Sequence, residues 1–118
     1  MLRYMEALSG ETAIRKHEIE AASTAQDTVN TLYIGGGTPS VLPLSVLRDV
    51  VKSLSAAGIS GPFREFTMEV NPEDIIEKGH EYVEGMLELG VNRVSMGVQS
   101  FDDGILKWMN RRHNAANA

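Results

Sequence analysis

Three short apolar segments, each followed by turn residues and then by a helical pattern, constrain the fold of this chain more than any other feature. They cover residues 31–34, 66–70 and 93–99. Strands that alternate with helices at this spacing are typical of βαβ units, in which consecutive strands run parallel. The sequence therefore predicts an α/β fold built on a parallel sheet.

The stretch between the first two strands predicts an amphipathic helix at residues 44–57. Apolar side chains recur there with the period of one helix face, at Leu47, Val50, Val51 and Leu54. Gly58 follows directly, and glycine suits the left-handed conformation in which many helices end. This helix would return the chain from the first strand to the second.

The other helices are predicted from weaker patterns. Asn71 and Pro72 suit a helix start, as a capping residue and a first helical residue. Gly79 is expected to interrupt that helix, which leaves a firmer helix at residues 80–89. Two further helices are predicted, a short one at 103–109 and a single N-terminal one at 2–22 that is weakest at Gly10.

Composition narrows the classes of function. The 118 residues are 42% hydrophobic and 23% charged, as expected for one globular domain. The net charge of −5 argues against a nucleic-acid-binding module, which needs a basic face. No apolar run approaches the roughly 20 residues that span a bilayer, and no secretory signal pattern is visible. A cytoplasmic location without a membrane span is therefore expected.

Unusual residues follow all three predicted strands, at the edge where parallel α/β folds bind their ligands. The first strand leads into Gly35-Gly36-Gly37-Thr38, where glycines allow left-handed backbone and close approach of a ligand. No Gly-Lys-Ser/Thr follows, and Ser40 stands where a dinucleotide fingerprint has its third glycine. The glycines alone are equally consistent with a tight strand–helix turn.

Period-two alternation gives the second and third strands one apolar and one polar or small face each. The polar or small positions are Thr67, Glu69 and Asn71 in the second strand, and Ser95, Gly97 and Gln99 in the third. In neighbouring strands, Glu69 and Gln99 would lie on the same side near the same end. A carboxylate there suits a cationic or hydrogen-bonding ligand, and the alternative is an internal ion pair with Arg93 or another basic residue.

The remaining ionisable residues give weaker indications of a ligand, metal or catalytic site. The basic cluster at 111–113 suits a carboxylate or phosphate, or else a solvated helix end. The three histidines lack the spacing of zinc ligands, so no metal site is predicted. The acidic pairs at 73–74 and 102–103 are interpreted as charges of helix first turns rather than a catalytic dyad, and no catalytic residue is assigned.

Four motifs stand in order along the chain. They are IGGGTPS at 34–40, EVNP at 69–72, NRVSMGVQSF at 92–101 and RRH at 111–113. Together they resemble the radical S-adenosylmethionine family of oxygen-independent coproporphyrinogen III oxidases. Ser40, Asn71, Ser100 and His113 make the chain more similar to the haem-chaperone branch of that family.

The resemblance implies a partial (β/α)6 TIM-like barrel, of which residues 1–118 would form a section with an N-terminal helix and three strand–helix units. It implies S-adenosylmethionine and a [4Fe–4S] cluster as cofactors, and a porphyrinogen or haem as the partner molecule. Six residues are implied as contacts of S-adenosylmethionine: Gly36, Gly37 and Thr38 at the methionine amino end, Glu69 near the cofactor's positive charge, Gln99 at the ribose hydroxyls and Arg111 at the methionine carboxylate.

The absence of cysteine departs from the resemblance. The family's CxxxCxxC loop supplies the thiolates of the cluster, and this sequence has no counterpart of that loop, its strand or the C-terminal domain. We therefore expect a fragment of a longer radical S-adenosylmethionine protein, inactive by itself, that carries part of the cofactor site. The alternative is a non-enzymatic haem- or protein-binding module, with homodimerisation through exposed sheet edges.

Overall fold

A computed structural model describes residues 2–22 and 29–118 of the chain. Five helices and three strands lie within these residues. The helices are α1 (Leu2–Ile14), α2 (Lys16–Ala22), α3 (Leu44–Ala56), α4 (Pro72–Leu89) and α5 (Asp103–Trp108). The strands are β1 (Thr31–Ile34), β2 (Glu65–Val70) and β3 (Arg93–Met96), and a 3-10 turn at Pro39–Val41 follows β1. None of these helices combines the length and hydropathy that a membrane span needs.

The three strands form one parallel sheet in the order β1-β2-β3, with β2 in the centre. Tyr33 of β1 lies opposite Thr67 of β2, and Glu69 of β2 lies opposite Ser95 of β3. Helix α3 connects β1 to β2 and helix α4 connects β2 to β3, which makes two consecutive βαβ units. The predicted α/β fold with a parallel sheet is therefore confirmed.

The hydrophobic core lies between the apolar face of the sheet and the helices α3 and α4. Its buried members are Leu47, Phe66, Met68, Val70, Tyr82, Met86 and Val91. Gly85 lets the two helices approach, because a Cβ at this position would collide with Leu44 of α3. The core thus fixes the apolar face of β2 toward the helices and turns its other face away from them.

The other face of the sheet is polar, as the alternation predicts. Thr67 is buried on this face, where its hydroxyl donates to Glu65 Oε1 at 3.0 Å and accepts from Arg93 Nη1 at 3.2 Å. Within the described residues, no strand pairs with the outer edges of β1 and β3. Homodimerisation through these edges stays a prediction.

Gly79 interrupts α4, as the sequence predicts, with a φ of 70°. Gly90 follows the helix as its C-cap, with a φ of 103°. Pro72 occupies the first turn, and Asn71 takes the N-cap position. The helix nevertheless begins at Pro72, so the firmer segment predicted at 80–89 is only its second half.

The prediction of a single N-terminal helix at 2–22 was wrong. The chain divides into α1 and α2 at Arg15, whereas Gly10 lies within α1. A glycine in a helix interior costs only about 1 kcal/mol relative to alanine. That cost does not end a helix that packs against α3, as α1 does. At the break, the Glu18 amide donates to the Arg15 carbonyl in a tighter, i to i−3 turn.

The third strand is also shorter than predicted, because β3 ends at Met96 rather than at Gln99. The Val98 amide donates to the Met96 carbonyl at 3.1 Å, and the Ser100 amide donates to the Val98 carbonyl at 2.9 Å. These short-range bonds turn the chain away from the sheet. The position of Gln99 is therefore decided by a turn and not by strand alternation.

Candidate functional site

A cavity of about 260 Å³ lies at the carboxyl ends of the three strands. Each strand contributes residues to its wall: Gly37 and Thr38 after β1, Glu69 and Asn71 at the end of β2, and Gly97 and Gln99 after β3. The ligand edge predicted from the sequence is therefore a concave, largely polar site. Four of the six residues implied as cofactor contacts line it: Gly37, Thr38, Glu69 and Gln99.

Gly36 joins this site through its backbone, because its N–H donates to Glu69 Oε2 at 2.9 Å. Gly36 and Gly37 have φ values of 84° and 61°, in the left-handed region that glycine tolerates best. A Cβ at either residue would meet no heavy atom of the described residues within 4 Å. These glycines are thus required by the backbone conformation of the loop, and they leave open space beside it.

Glu69 carries a negative charge in the cavity. The Tyr33 phenol donates to Glu69 Oε1 at 2.6 Å, and this hydrogen bond, followed by that from Gly36, lowers the pKa of Glu69 below its usual range. The same contact raises the pKa of Tyr33. Arg93, the alternative partner for Glu69, instead lies 3.5 Å from Glu65. The ionised carboxylate thus faces the cavity without that arginine.

Tyr33 is a site residue that the sequence analysis missed. It lies opposite Thr67 in the sheet, and Thr67 shares the polar face of β2 with Glu69. The signal was present in β1, where exposed Thr31 and Tyr33 alternate with half-buried Leu32 and Ile34. The alternation that assigned Glu69 to the polar face also applies to Tyr33.

Gln99 adopts a left-handed backbone, with a φ of 70°, which is uncommon for a residue with a side chain. Such conformations are concentrated at functional sites, where surrounding contacts hold them. A Cβ on Gly97 would lie 3.1 Å from Gln99 Nε2 and 3.2 Å from Asn71 Oδ1. Gly97 therefore leaves the space in which the two amide side chains come together on the cavity wall.

Arg111 does not line the cavity but holds two residues that do. Its Nη2 donates to the Gly97 carbonyl at 3.0 Å and to Asn71 Oδ1 at 3.3 Å. The same nitrogen lies 3.3 Å from Glu73 Oε1. Its Nε is buried, and within the described residues it has no hydrogen-bond partner. The structure therefore places Arg111 behind the wall, and its contact with a ligand carboxylate stays a prediction.

The acidic pair in the first turn of α4 is buried, which the sequence analysis did not foresee. Asp74 accepts from Arg112 Nη2 at 2.9 Å and from the Ser40 hydroxyl at 2.6 Å. Burial raises the pKa of Glu73, but hydrogen bonds from its own backbone and from His113, with the charge of Arg111, outweigh it and leave the pKa lowered. Glu73 thus anchors Arg111 and His113, whereas Asp74 pairs with Arg112.

The other acidic pair agrees with its interpretation as helix first-turn charges. Asp102 is the N-cap of α5, and its Oδ1 accepts from the Ile105 amide at 2.9 Å. Asp103 lies in the first turn of the same helix. Asp103 Oδ1 also accepts from the Ala115 amide at 2.8 Å, so this carboxylate contacts the C-terminal segment as well.

A second, larger cavity of about 570 Å³ lies between α1, β1 and α3. Its wall is mainly apolar and includes Leu8, Ile34 and Leu54. Within the described residues, no charged side chain lines it. It offers packing surface, whereas the smaller cavity offers the polar groups that orient a ligand.

The family model of the Radical SAM superfamily matches residues 12–118. The chain belongs to this superfamily. Among curated relatives, the heme chaperone HemW of Lactococcus lactis is 36% identical over 110 residues, which is 93% of this chain and 26% of that protein. HemW of Bacillus subtilis is 37% identical over 93 residues, 78% of this chain and 24% of that protein.

The oxygen-independent coproporphyrinogen III oxidase of Paracoccus denitrificans is a further relative of this Radical SAM chain. It is 34% identical over 86 residues, 73% of this chain and 18% of that protein. The chain thus spans about a quarter or less of the length of these relatives. The resemblance drawn from the four motifs is confirmed.

Solved structures agree with the Radical SAM assignment. Coproporphyrinogen III oxidase (HemN) from Escherichia coli, a Radical SAM enzyme, superposes with a TM-score of 0.80 at 28% identity, covering 98% of this chain and 25% of that chain. The archaeal Elp3 of Methanocaldococcus infernus shares the fold, with a TM-score of 0.64 at 22% identity over 93% of this chain and 29% of that chain. The parallel sheet is therefore a section of a TIM-like barrel.

Full-length Radical SAM proteins use S-adenosylmethionine and a [4Fe–4S] cluster, and the two groups fit this chain differently. The cavity offers an ionised carboxylate at Glu69, open space beside glycine backbone, and the amide of Gln99, which match an ammonium group and ribose hydroxyls. The cluster does not fit, because the chain has no cysteine. Nor do the described residues contain any group of three or more histidine or acidic side chains arranged to hold a metal.

Proposed function

We propose that this chain, over residues 1–118, is a section of the barrel domain of a HemN/HemW-like radical S-adenosylmethionine protein and forms part of its S-adenosylmethionine site. The observation that carries the proposal is the convergence of three strand ends on one polar cavity around ionised Glu69. The residues that converge come from separate motifs, at 34–40, 69–72 and 92–101. A shared ligand is the simplest reason for their meeting.

Each proposed contact residue has a role that suits its chemistry. The backbone of Gly36, Gly37 and Thr38 would hold the methionine amino end of the cofactor. Glu69 would complement the positive charge of the cofactor through a charge-assisted contact. The Gln99 amide has both donors and an acceptor, and it would hydrogen-bond the ribose hydroxyls.

Arg111 has a different place in the proposal. Its Nη2 already bonds the Gly97 carbonyl and Asn71 Oδ1, so a methionine carboxylate would share this nitrogen or displace one of those bonds. We assign Arg111 first to holding these two residues in the wall. Contact with the carboxylate would be its second role.

The proposed function of this chain is binding rather than catalysis. S-adenosylmethionine supplies radical chemistry in this superfamily only together with a [4Fe–4S] cluster. The chain has no cysteine to ligate a cluster, so we expect no radical chemistry from it alone. What its own residues do is orient the cofactor and hold a charge beside it.

The names of the relatives support haem or a porphyrinogen as the partner molecule of the whole protein. These relatives are a heme chaperone and a coproporphyrinogen III oxidase. The alternative of a haem-binding module made by this chain alone has less support. Haem iron is commonly held by a histidine, and the fully buried His113 already has both ring nitrogens engaged. His17 and His80 are exposed on helices and line neither of the two cavities.

Calorimetric titration of the 118-residue chain with S-adenosylmethionine tests the proposal. We expect weak binding, and we expect Glu69→Gln to weaken it by about tenfold through loss of a charge-assisted contact. Glu65→Gln is the matched control, because Glu65 lies on the same face at the opposite end of β2 and pairs with Arg93. Absence of binding, or binding that the Glu69 variant leaves unchanged, would overturn the proposed site.

A further inference from the structure

Gln99 is the central residue of a tight turn after β3. The Ser100 amide closes this turn by donating to the Val98 carbonyl at 2.9 Å, and Gln99 between them has a φ of 70°. A three-residue turn with a positive φ is rare and strained for a residue with a side chain. Contacts from outside the turn can therefore stabilise it by holding its carbonyl groups.

Two side chains from the segment after α5 supply such contacts. Arg111 Nη2 donates to the Gly97 carbonyl at 3.0 Å. His113 Nε2 lies 3.0 Å from the Val98 carbonyl oxygen. Gly97 and Val98 are the two residues immediately before Gln99. Their consecutive carbonyl groups are therefore both held, and with them the backbone that orients the Gln99 side chain.

Both side chains are anchored on one buried carboxylate, that of Glu73 in the first turn of α4. His113 Nδ1 lies 2.6 Å from Glu73 Oε2, and Arg111 Nη2 lies 3.3 Å from Glu73 Oε1. The His113 side chain is fully buried and that of Glu73 is 9% exposed. Such an arrangement leaves the two side chains little freedom to move away from the turn.

The His113 ring bridges the two elements that it contacts. One ring nitrogen faces the carboxylate of Glu73 in α4, and the other faces the carbonyl of Val98 in the turn after β3. The imidazole therefore links the turn directly to the start of α4.

We infer that Glu73, Arg111 and His113 form a bracket that positions Gln99 for the ribose of the bound cofactor. The inference rests on the proposed role of Gln99 in the S-adenosylmethionine site. His113 is a positioning residue, since it acts on the backbone before Gln99 and does not line the cavity. It sets how well the site distinguishes a ribose from a sugar without hydroxyls.

Ligand selectivity is the first test. We would titrate the chain with S-adenosylmethionine and with its 2′,3′-dideoxyribose analogue. The unmodified chain should prefer the ribose about tenfold, the effect of one or two hydrogen bonds, and Gln99→Ala should abolish the preference. His113→Phe should reduce it to about twofold, and His113→Gln, which keeps one donor group, should give an intermediate value.

Arg112→Ala is the matched control for these variants. Arg112 belongs to the same segment, but its ion pairs go to Asp74 and Glu77 of α4. This variant should keep the full ribose preference. The inference is overturned if His113→Phe keeps the preference as well, or if Arg112→Ala reduces it to the same extent.

Amide hydrogen exchange of the unliganded chain separates this inference from the proposed function. The Ser100 amide, bonded to the Val98 carbonyl, should exchange about tenfold faster in His113→Phe, while the Val91 amide of the core should not change. Faster exchange in a chain that binds no S-adenosylmethionine would leave the bracket standing and overturn the proposed function. Unchanged exchange would overturn the bracket. If His113→Phe does not fold, His113→Gln takes its place in both measurements, with a smaller expected effect.

Discussion

Two loops at the same edge of the sheet use left-handed backbone, and they obtain it in opposite ways. After β1, the residues with left-handed backbone are Gly36 and Gly37, which adopt it without steric cost. After β3, it falls on Gln99, whose backbone is held by Arg111 and His113. The first loop owes its shape to residue type, whereas the second owes its shape to contacts with a distant segment.

The two loops should be sensitive to different substitutions. A change within the first loop should act locally, through the cost of placing a side chain in a conformation that only glycine tolerates. The second loop should respond most to changes outside it, in the buried charges that hold it. Three substitutions, given in order of decreasing effect, would break or sharpen this contrast.

Glu73→Ala should destabilise the chain most, by about 3 kcal/mol, because it leaves buried His113 and half-buried Arg111 without their shared carboxylate. Urea unfolding would measure the change. Glu77→Ala, at an exposed carboxylate on the same helix, should stay within about 0.5 kcal/mol of the unmodified chain. A similar effect of both variants would contradict the central role of Glu73.

The pH dependence of the Glu73 effect checks its cause. The pKa of Glu73 is lowered in the folded chain, so its stabilising contribution is present above the ordinary carboxyl pKa. That contribution is lost as the pH falls through the lower, folded value. The difference in unfolding free energy between the unmodified chain and Glu73→Ala should therefore shrink in acid.

Gly37→Ala should destabilise by about 1–2 kcal/mol, through the cost of the left-handed conformation alone. No steric clash contributes, because a Cβ there meets no heavy atom of the described residues within 4 Å. Gly10→Ala within α1 is the control, and it should stabilise the chain by about 0.5–1 kcal/mol. Thermal unfolding of both variants would measure these changes in stability. An unchanged stability of Gly37→Ala would mean that the loop changes shape freely.

Gln99→Gly should have the smallest effect and the opposite sign, a gain of about 0.5–1 kcal/mol from relief of backbone strain. The variant should also lose the preference for ribose. Gln99→Ala, which keeps a Cβ, should lose the preference without the gain in stability. Equal unfolding free energies for the glycine and alanine variants would show that the turn stores no strain at this residue.

The sequence predicted those parts of the fold whose causes lie within a few residues. The first strand at 31–34, the end of α3 before Gly58 and the interruption of α4 at Gly79 all agree with the structure. The predictions failed at two places, for two different reasons. Gly10 remains within α1 because that helix packs on α3, and β3 ends at Met96 because short-range bonds form a turn there that strand alternation does not reveal.

The features of the candidate site also fall into those that local patterns predicted and those that depend on tertiary contacts. Alternation and strand ends placed Glu69 and the glycine loop at one edge of the sheet, because side-chain direction in a strand repeats every two residues. No such period links Tyr33 to Glu69, 36 residues apart, or Glu73 to His113, 40 residues apart. Those pairs become neighbours only when parallel strands take their register and the last segment folds back on α4.

By itself, the sequence determined the α/β class, the loops that need glycine, the lack of any cysteine ligand for a cluster and the family to which the chain belongs. The tertiary structure decided which charges are buried together, that Arg111 lies behind the cavity wall and that Gln99 is held in a strained turn. The physical reason is the range of the forces. Backbone preference and periodicity act between near neighbours in the chain, whereas burial and ion pairing depend on residues that only the complete fold brings together.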